Sequence, residues 1–260
     1  MVLAHVRAGA GGRPLVLLHG LLGSARNLST LGRLLVDRNP ELDVVAFDLT
    51  GHGASAPLPP GADATTLAAD VLNSARALGL RPPLSFVGHS LGGRVALRVA
   101  LSEPASVGTV SLLDIPPGPL AAAGEVSGVL QILEHMPDSF ASRGHARARL
   151  IAAGLAPTLA DWLLLNLGPG SGGFGWRVDR RALADLHARV AAEDLWPVVE
   201  GQRPWALSCV RGGASAFVTD GDVQRLQAAG CPVATIQGAG HFLHVERPDA
   251  VAEAVAEGLT

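Results

Sequence analysis

The chain predicts an α/β architecture, a mostly parallel central sheet with helices on both faces and an inserted helical cap. Three observations predict it. Short apolar runs alternate with stretches of helix formers through the first half of the chain, the pattern of parallel strands joined by crossover helices. The alternation stops after Ile115, where Pro116, Pro117 and Pro119 break the chain and a mainly helical stretch follows. Strand-like runs then return before a closing helix, so the expected division is a core at 1–117, a cap at 118–190 and the rest of the core at 191–260.

Each element follows from its local pattern. The run at 15–18 is continuously apolar and breaks at His19 and Gly20, and the run at 44–47 ends at Asp48, so both read as strands buried on two faces. Between them Leu28, Leu31, Leu34 and Leu35 fall on one helical face. Residues 66–80 are rich in helix formers, 84–87 are apolar, 92–101 return to a helical pattern and 110–113 form the next strand. Beyond the prolines, Val126, Val129, Leu130 and Leu133 mark one amphipathic helix and Trp162 to Leu165 belong to another. A glycine-rich turn then carries Phe174 and Trp176. Residues 205–210 and 233–236 read as strands and 248–259 as the last helix. Ligands of such sheets sit beyond the carboxyl ends of the strands.

Composition narrows the function. With 260 residues, 48% hydrophobic and 17% charged, the chain can bury one large core and is not a disordered scaffold. A formal charge of −3 offers no basic stripe, so nucleic acid is not an expected partner. All 20 basic residues are Arg, and without Lys there is neither a Schiff base nor a GxxxxGK phosphate loop. Cys209 and Cys231 form no CxxC pair and read as buried core thiols, and no metal or cofactor is expected. The apolar run at 15–22 is interrupted and lacks a cleavage site, and no stretch of about 18 apolar residues occurs. A soluble, cytoplasmic monomer or homodimer without a membrane span is therefore expected.

The strongest local signal is Gly88-His89-Ser90-Leu91-Gly92, a GxSxG pentapeptide between an expected strand and an expected helix. A nucleophile on so sharp a turn strains its backbone, and its neighbours two residues away must be small. The turn aims the Ser90 hydroxyl above the sheet and places the following amides at a helix start, where partial positive charge stabilises an oxyanion. His89 is expected to point away from the reacting hydroxyl and to line the pocket.

A serine hydroxyl needs a base, and His241 lies on a loop directly after the last apolar run, at the same sheet edge as Ser90. His244, three residues on, is expected to be a wall or capping residue, and His5, His135, His145 and His187 to serve at the surface or in the cap. The acid that fixes the imidazole tautomer is expected to be Asp114, which ends the run at 110–113. In most enzymes of this architecture the acid follows the penultimate strand, where this chain has Ser215, and Asp220 and Asp222 stay open as alternatives. The loop His19-Gly20-Leu21-Leu22-Gly23 offers the second oxyanion donor, so the expected pair is the backbone N–H groups of Leu21 and Leu91. His19 is expected to brace that loop.

Taken together, HGLLG at 19–23, FDLTGHG at 47–53, GHSLGG at 88–93 and GAGHFLHVERPDAV at 238–251 resemble the α/β-hydrolase superfamily over nearly the whole chain. More narrowly, LDIPP at 113–117, GGFGWRV at 172–178 and RGGAS at 211–215 resemble the YbfF-type bacterial esterases and the related mitochondrial abhydrolase proteins. In that subfamily the acid follows the strand after the nucleophile helix and a Ser takes the usual acid position. The resemblance implies an acid role for Asp114 and an auxiliary role for Ser215. It also implies cofactor-free hydrolysis of short to medium acyl esters, with acyl-CoA thioesters as a further class. Two departures bear on pocket shape: Leu22 stands where the subfamily commonly has an aromatic residue, and Tyr is absent.

The expected mechanism is acyl transfer from a small-molecule ester or thioester through an acyl-enzyme on Ser90. Leu22, His89, Phe140, Trp162, Phe174 and Trp176 are the candidates for the substrate pocket. A dinucleotide fold is disfavoured because GHGASA at 51–56 runs into Pro57, Pro59 and Pro60 where a helix should begin, which leaves Asp48 and His52 to shape that turn. Carbon–carbon hydrolysis or lysis, cofactor-free perhydrolysis and non-catalytic binding on the same scaffold remain alternatives.

Overall fold

The structure is a computed structural model that describes residues 2–120, 125–170 and 172–259. Chain order runs β1 His5–Ala8, β2 Arg13–Leu18, α1 Ser29–Arg38, β3 Leu42–Phe47, α2 Ala64–Ala77, β4 Leu84–His89, α3 Leu91–Ser102 and β5 Val107–Leu113. An insertion follows, with α4 Glu125–Glu134, β6 Ser139–Phe140, α5 Arg143–Ala152, α6 Pro157–Leu163, β7 Leu167–Gly170, β8 Gly173–Trp176 and α7 Arg180–Ala191, and the short α8 Trp196–Glu200 comes after it. The chain closes with β9 Ala206–Gly212, α9 Asp220–Ala228, β10 Val233–Ile236, α10 Leu243–Glu246 and α11 Pro248–Gly258.

Seven strands form the main sheet in the order β1-β3-β2-β4-β5-β9-β10. Only the β1–β3 pairing is antiparallel. The central strands are apolar at consecutive positions because both faces are covered. Val16, Leu18, Val45, Phe47 and Phe86 face one cluster with Leu67 and Val71 of α2 and Val95 of α3. Leu15, Leu17, Val44, Ala46 and Val87 face the other, with Leu31 and Leu35 of α1 and Val251 and Val255 of α11. Strand alternation alone thus sorts neighbouring residues to opposite helix layers. Two helix starts are set by carboxylate caps: Asp63 accepts from the Thr66 amide before α2, and Asp179 from Arg181 and Ala182 before α7.

The insertion is not purely helical. β6, β8 and β7 form a three-stranded antiparallel sheet in which Phe140 lies opposite Phe174 and Leu167 opposite Trp176. Glycine and proline at 168–175 read as a turn in sequence, yet the hairpin is held by backbone bonds that need no β-branched side chains. The insertion shares the α2–α3 face cluster through Leu133, Leu150, Leu163 and Leu186. Arg94 of α3, 1% exposed, fastens both of its ends: Nη1 donates to Pro116 O at 3.2 Å and Gly118 O at 2.8 Å, and Nη2 to Glu193 O at 2.5 Å. The Leu195 amide donates to Pro117 O at 2.9 Å, so the outgoing and returning segments also bond to each other.

Candidate active site

The GxSxG turn follows from packing at the end of β4. Ser90 has φ 51° and ψ −116°, a conformation that L-residues avoid and hold only where their surroundings impose it. Its amide donates to Leu113 O at 3.1 Å, which hangs the turn on β5. A Cβ at Gly88 would lie 2.3 Å from Gly92 O, and one at Gly92 would lie 2.2 Å from Leu18 O. Both flanking positions therefore admit only glycine, for reasons of close backbone approach.

Leu91 opens α3, and Leu21 lies in a loop closed by the Gly23 amide donating to Gly20 O at 3.0 Å. Neither the Leu21 nor the Leu91 amide donates to a protein acceptor among the described residues. His19 braces the loop: its Nδ1–H donates to Gly20 O at 2.7 Å while Nε2 accepts from the Leu49 amide at 3.0 Å. Those two partners fix its neutral tautomer.

Asp114 directly follows β5, with φ 51°, and is fully buried. Its Oδ1 accepts from the Gly212 amide at 2.9 Å, and its Oδ2 accepts from Ser215 Oγ at 2.5 Å and from His241 Nδ1 at 2.8 Å. The Nδ1 proton is thereby committed to the carboxylate, which leaves Nε2 of His241 free to take a proton. Phe217 stacks on the His241 ring at 3.8 Å between centroids and 15° between planes. His89 Nε2 donates to His241 O at 2.8 Å, holding the histidine loop against the turn at Ser90.

Ser90 and His241 line one narrow cavity of about 60 Å³, walled by Leu22, Val129, Leu159, Trp162 and Phe242. No hydrogen bond joins Ser90 Oγ to His241 Nε2 among the described residues. Catalytic hydrogen bonds of this kind often tighten only around substrate. Three further histidines line the cavity, His19, His89 and His244, and His52 lies behind His19 with ring centroids 5.0 Å apart. Burial lowers them all: His19 to about 4, His52 and His244 to about 3, and His89 well below the ordinary histidine value. Neighbouring imidazoles add to the effect, His241 for His244 and His19 for His52. At neutral pH these four are uncharged. Among the described residues no three His, Cys, Asp or Glu side chains are grouped to hold a metal ion.

The structure brings together Ser90, His241, Asp114, Ser215, Leu21, Leu22, His89 and Trp162. It keeps Phe140, Phe174 and Trp176 out of the cavity lining. Phe140 is 2% exposed and meets Trp176 edge to face at 5.9 Å, while Trp176 Nε1 donates to Pro137 O at 2.9 Å. These rings pack the small sheet of the insertion, because cross-strand pairing turns them toward one another. Asp220 instead pairs with Arg211 at 2.8 Å, and Asp222 caps α9 by accepting from Thr219 N and Oγ1. Asp48 accepts from the Ala25 and Ala54 amides and so shapes its turn.

Sequence reasoning passed over Phe217, Phe242 and Asn27. Phe217 was detectable as an aromatic two residues beyond Ser215, on the loop that faces His241. Phe242 adjoins His241 in the chain, and its ring touches Trp162 at 5.2 Å. Asn27 carried no signal, for its side chain first serves the turn at Ser24, whose amide it accepts at 2.7 Å.

The model of the alpha/beta hydrolase family matches residues 15–254. The Xenopus laevis sn-1-specific diacylglycerol lipase ABHD11 is 31% identical over 91% of this chain and 76% of its own length. Esterase YbfF of Escherichia coli is 26% identical over 95% of this chain and 92% of its own. A solved marine microorganism esterase superposes with a TM-score of 0.88 at 23% identity, covering 99% of both chains, a likeness of fold. With the family pattern spanning nearly every element that builds the site, the chain belongs to the alpha/beta hydrolase family.

Proposed function

We propose that this carboxylic ester hydrolase works through a Ser90–His241–Asp114 relay and an acyl-enzyme. In this reading residues 118–190 form a cap over a core made of 1–117 and 191–260. The observation that carries the reading is the buried Asp114–His241 contact at 2.8 Å on a histidine that shares one cavity with a strained Ser90. His241 Nε2 takes the Ser90 proton as Oγ attacks the ester carbonyl, and the tetrahedral oxyanion is held by the Leu21 and Leu91 amides. The leaving alcohol or thiol takes the proton from His241, and water then repeats the sequence on the acyl group. Ser215 donates to Asp114 Oδ2 at 2.5 Å, on the same oxygen that accepts from His241, and so holds the carboxylate in place beside the base.

The substrates are short to medium acyl esters, with acyl-CoA thioesters as a second class. Apolar walls at Leu22, Leu159, Trp162 and Phe242 suit an uncharged acyl group, and a cavity of about 60 Å³ favours the shorter chains. Relatives named as a diacylglycerol lipase and an esterase support ester chemistry. The test is steady-state hydrolysis of graded nitrophenyl esters and acyl-CoA thioesters by wild type and Ser90→Ala. Turnover that falls about a thousandfold or more in Ser90→Ala supports the reading. Folded wild type that hydrolyses nothing in either series overturns it.

A further inference from the structure

The loop proposed to hold the oxyanion contains a strained residue whose carbonyl is bonded from the inserted segment. Leu22 is the third residue of the turn that Gly23 N closes onto Gly20 O at 3.0 Å, and its φ is 62°. A glycine enters that left-handed region without steric cost, whereas a leucine crowds its Cβ against the following carbonyl. The Leu22 carbonyl accepts a hydrogen bond from Asn166 Nδ2 at 2.9 Å, a buried bond spanning 144 residues of sequence. Since a carbonyl only accepts, that partner fixes which way the amide faces.

Asn166 is anchored from its own side. It ends the short helical turn Leu164–Asn166, is 7% exposed, and its carbonyl accepts from the Arg177 amide at 2.8 Å. The next carbonyl, of Leu167, accepts from Arg143 Nη1 at 3.1 Å. The Asn166 amide thus projects from a braced strand start of the insertion onto one atom of the oxyanion loop.

The geometry points to Asn166 as a positioning residue: by bonding Leu22 O it holds the left-handed turn that aims the adjoining Leu21 amide at the reacting carbonyl. Docking of the inserted segment on the core then completes the oxyanion hole. The inference rests on the serine hydrolase reading above. Oxyanion donors act through their placement, and a displacement of about 1 Å is enough to cost about a hundredfold in rate.

The experiment measures kcat, KM and the Ki of a boronic acid that adds to Ser90 Oγ, for wild type, Ser90→Ala, Asn166→Leu and Asn166→Asp, each checked by thermal denaturation. Asn166→Asp keeps the shape but has no N–H to donate. Expected for both Asn166 variants is a fall in kcat of about 10- to 100-fold with KM changed less than about threefold. The boronic acid Ki should weaken in parallel with kcat/KM, as for any transition-state mimic. A purely structural role would raise KM or lower Tm and leave kcat and Ki near wild type; that result overturns the inference. If wild type lacks Ser90-dependent turnover, the hydrolase reading itself has failed and the inference falls with it. Ser90-dependent turnover whose kcat and Ki stay within about threefold of wild type in both Asn166 variants refutes the inference alone.

Discussion

Replacing Asp114 with Asn exchanges one oxygen for an amide nitrogen and so isolates what the carboxylate does. Its two oxygens accept from Gly212 N at 2.9 Å, Ser215 Oγ at 2.5 Å and His241 Nδ1 at 2.8 Å, in a fully buried site. Every partner is a donor, whereas an Asn side chain has one acceptor oxygen and two N–H groups. If the nitrogen takes the Oδ1 position, it opposes the Gly212 N–H and leaves buried donors unpaired, at about 1–3 kcal/mol. If it takes the Oδ2 position, Ser215 can rotate to accept, and His241 can accept at Nδ1 only by moving its proton to Nε2. That arrangement leaves fewer groups unpaired and prevails. It also blocks the base, because Nε2 is the atom that must receive the Ser90 proton.

A trapped tautomer of this kind lowers kcat by about 10⁴, roughly 5 kcal/mol of barrier. The fold, by contrast, should lose only about 1–3 kcal/mol, a Tm shift of roughly 10 °C or less. The assay is kcat and KM on one nitrophenyl ester, with thermal denaturation, for Asp114→Asn, Asp220→Asn and Asp222→Asn. Asp220 serves Arg211 and Asp222 serves the start of α9, so those two variants should keep kcat within about threefold. An Asp114→Asn enzyme within tenfold of wild type, or a comparable loss in either control, refutes the reasoning.

Other outcomes follow from the same contacts. His19, His52 and His244 titrate near 4, 3 and 3 when folded and near 6.5 when unfolded, so between those values the unfolded chain binds more protons. Stability is therefore full above about pH 6.5 and falls as the pH drops toward 4, by about 2 kcal/mol per histidine at pH 5; a Tm that stays flat from pH 7.5 to 5 contradicts this. Arg94→Leu leaves the carbonyls of Pro116, Gly118 and Glu193 without this donor, at about 1–3 kcal/mol for each that stays unpaired, and should destabilise by about 3 kcal/mol or more in denaturant titration, whereas a loss below about 1 kcal/mol would show the clamp to be dispensable. Phe140→Ala should lower stability by about 3–5 kcal/mol with KM little changed, while Trp162→Ala raises KM; the reverse pattern would return Phe140 to the pocket wall.

The legible part of the fold was the part dictated by local pattern. The runs at 15–18 and 44–47 are apolar at every position, and 84–87 at all but Ser85, because both sheet faces are covered, and the GxSxG turn announced itself between strand and helix. Edge strand β1 was not legible, since three of its four residues are exposed and its pairing with β3 is set by tertiary contact. The small sheet at 139–176 was hidden by its glycines and prolines. Within the site, Ser90, Asp114 and His241 stand at strand ends, where position speaks. Phe217 and Asn166 come to the site from loops or from the insertion, and their partners lie 24 and 144 residues away. Contacts of that separation leave no periodic trace in a single sequence.

The central claim is that Ser90 is the nucleophile, activated by His241. The most direct measurement is intact-mass and peptide analysis after treatment with a fluorophosphonate, which forms a phosphorus–oxygen bond to an activated serine and releases fluoride. One adduct per chain, mapped to Ser90, absent in Ser90→Ala and strongly slowed in His241→Ala, is the predicted result. An adduct on another residue, or none on folded wild type, contradicts the account.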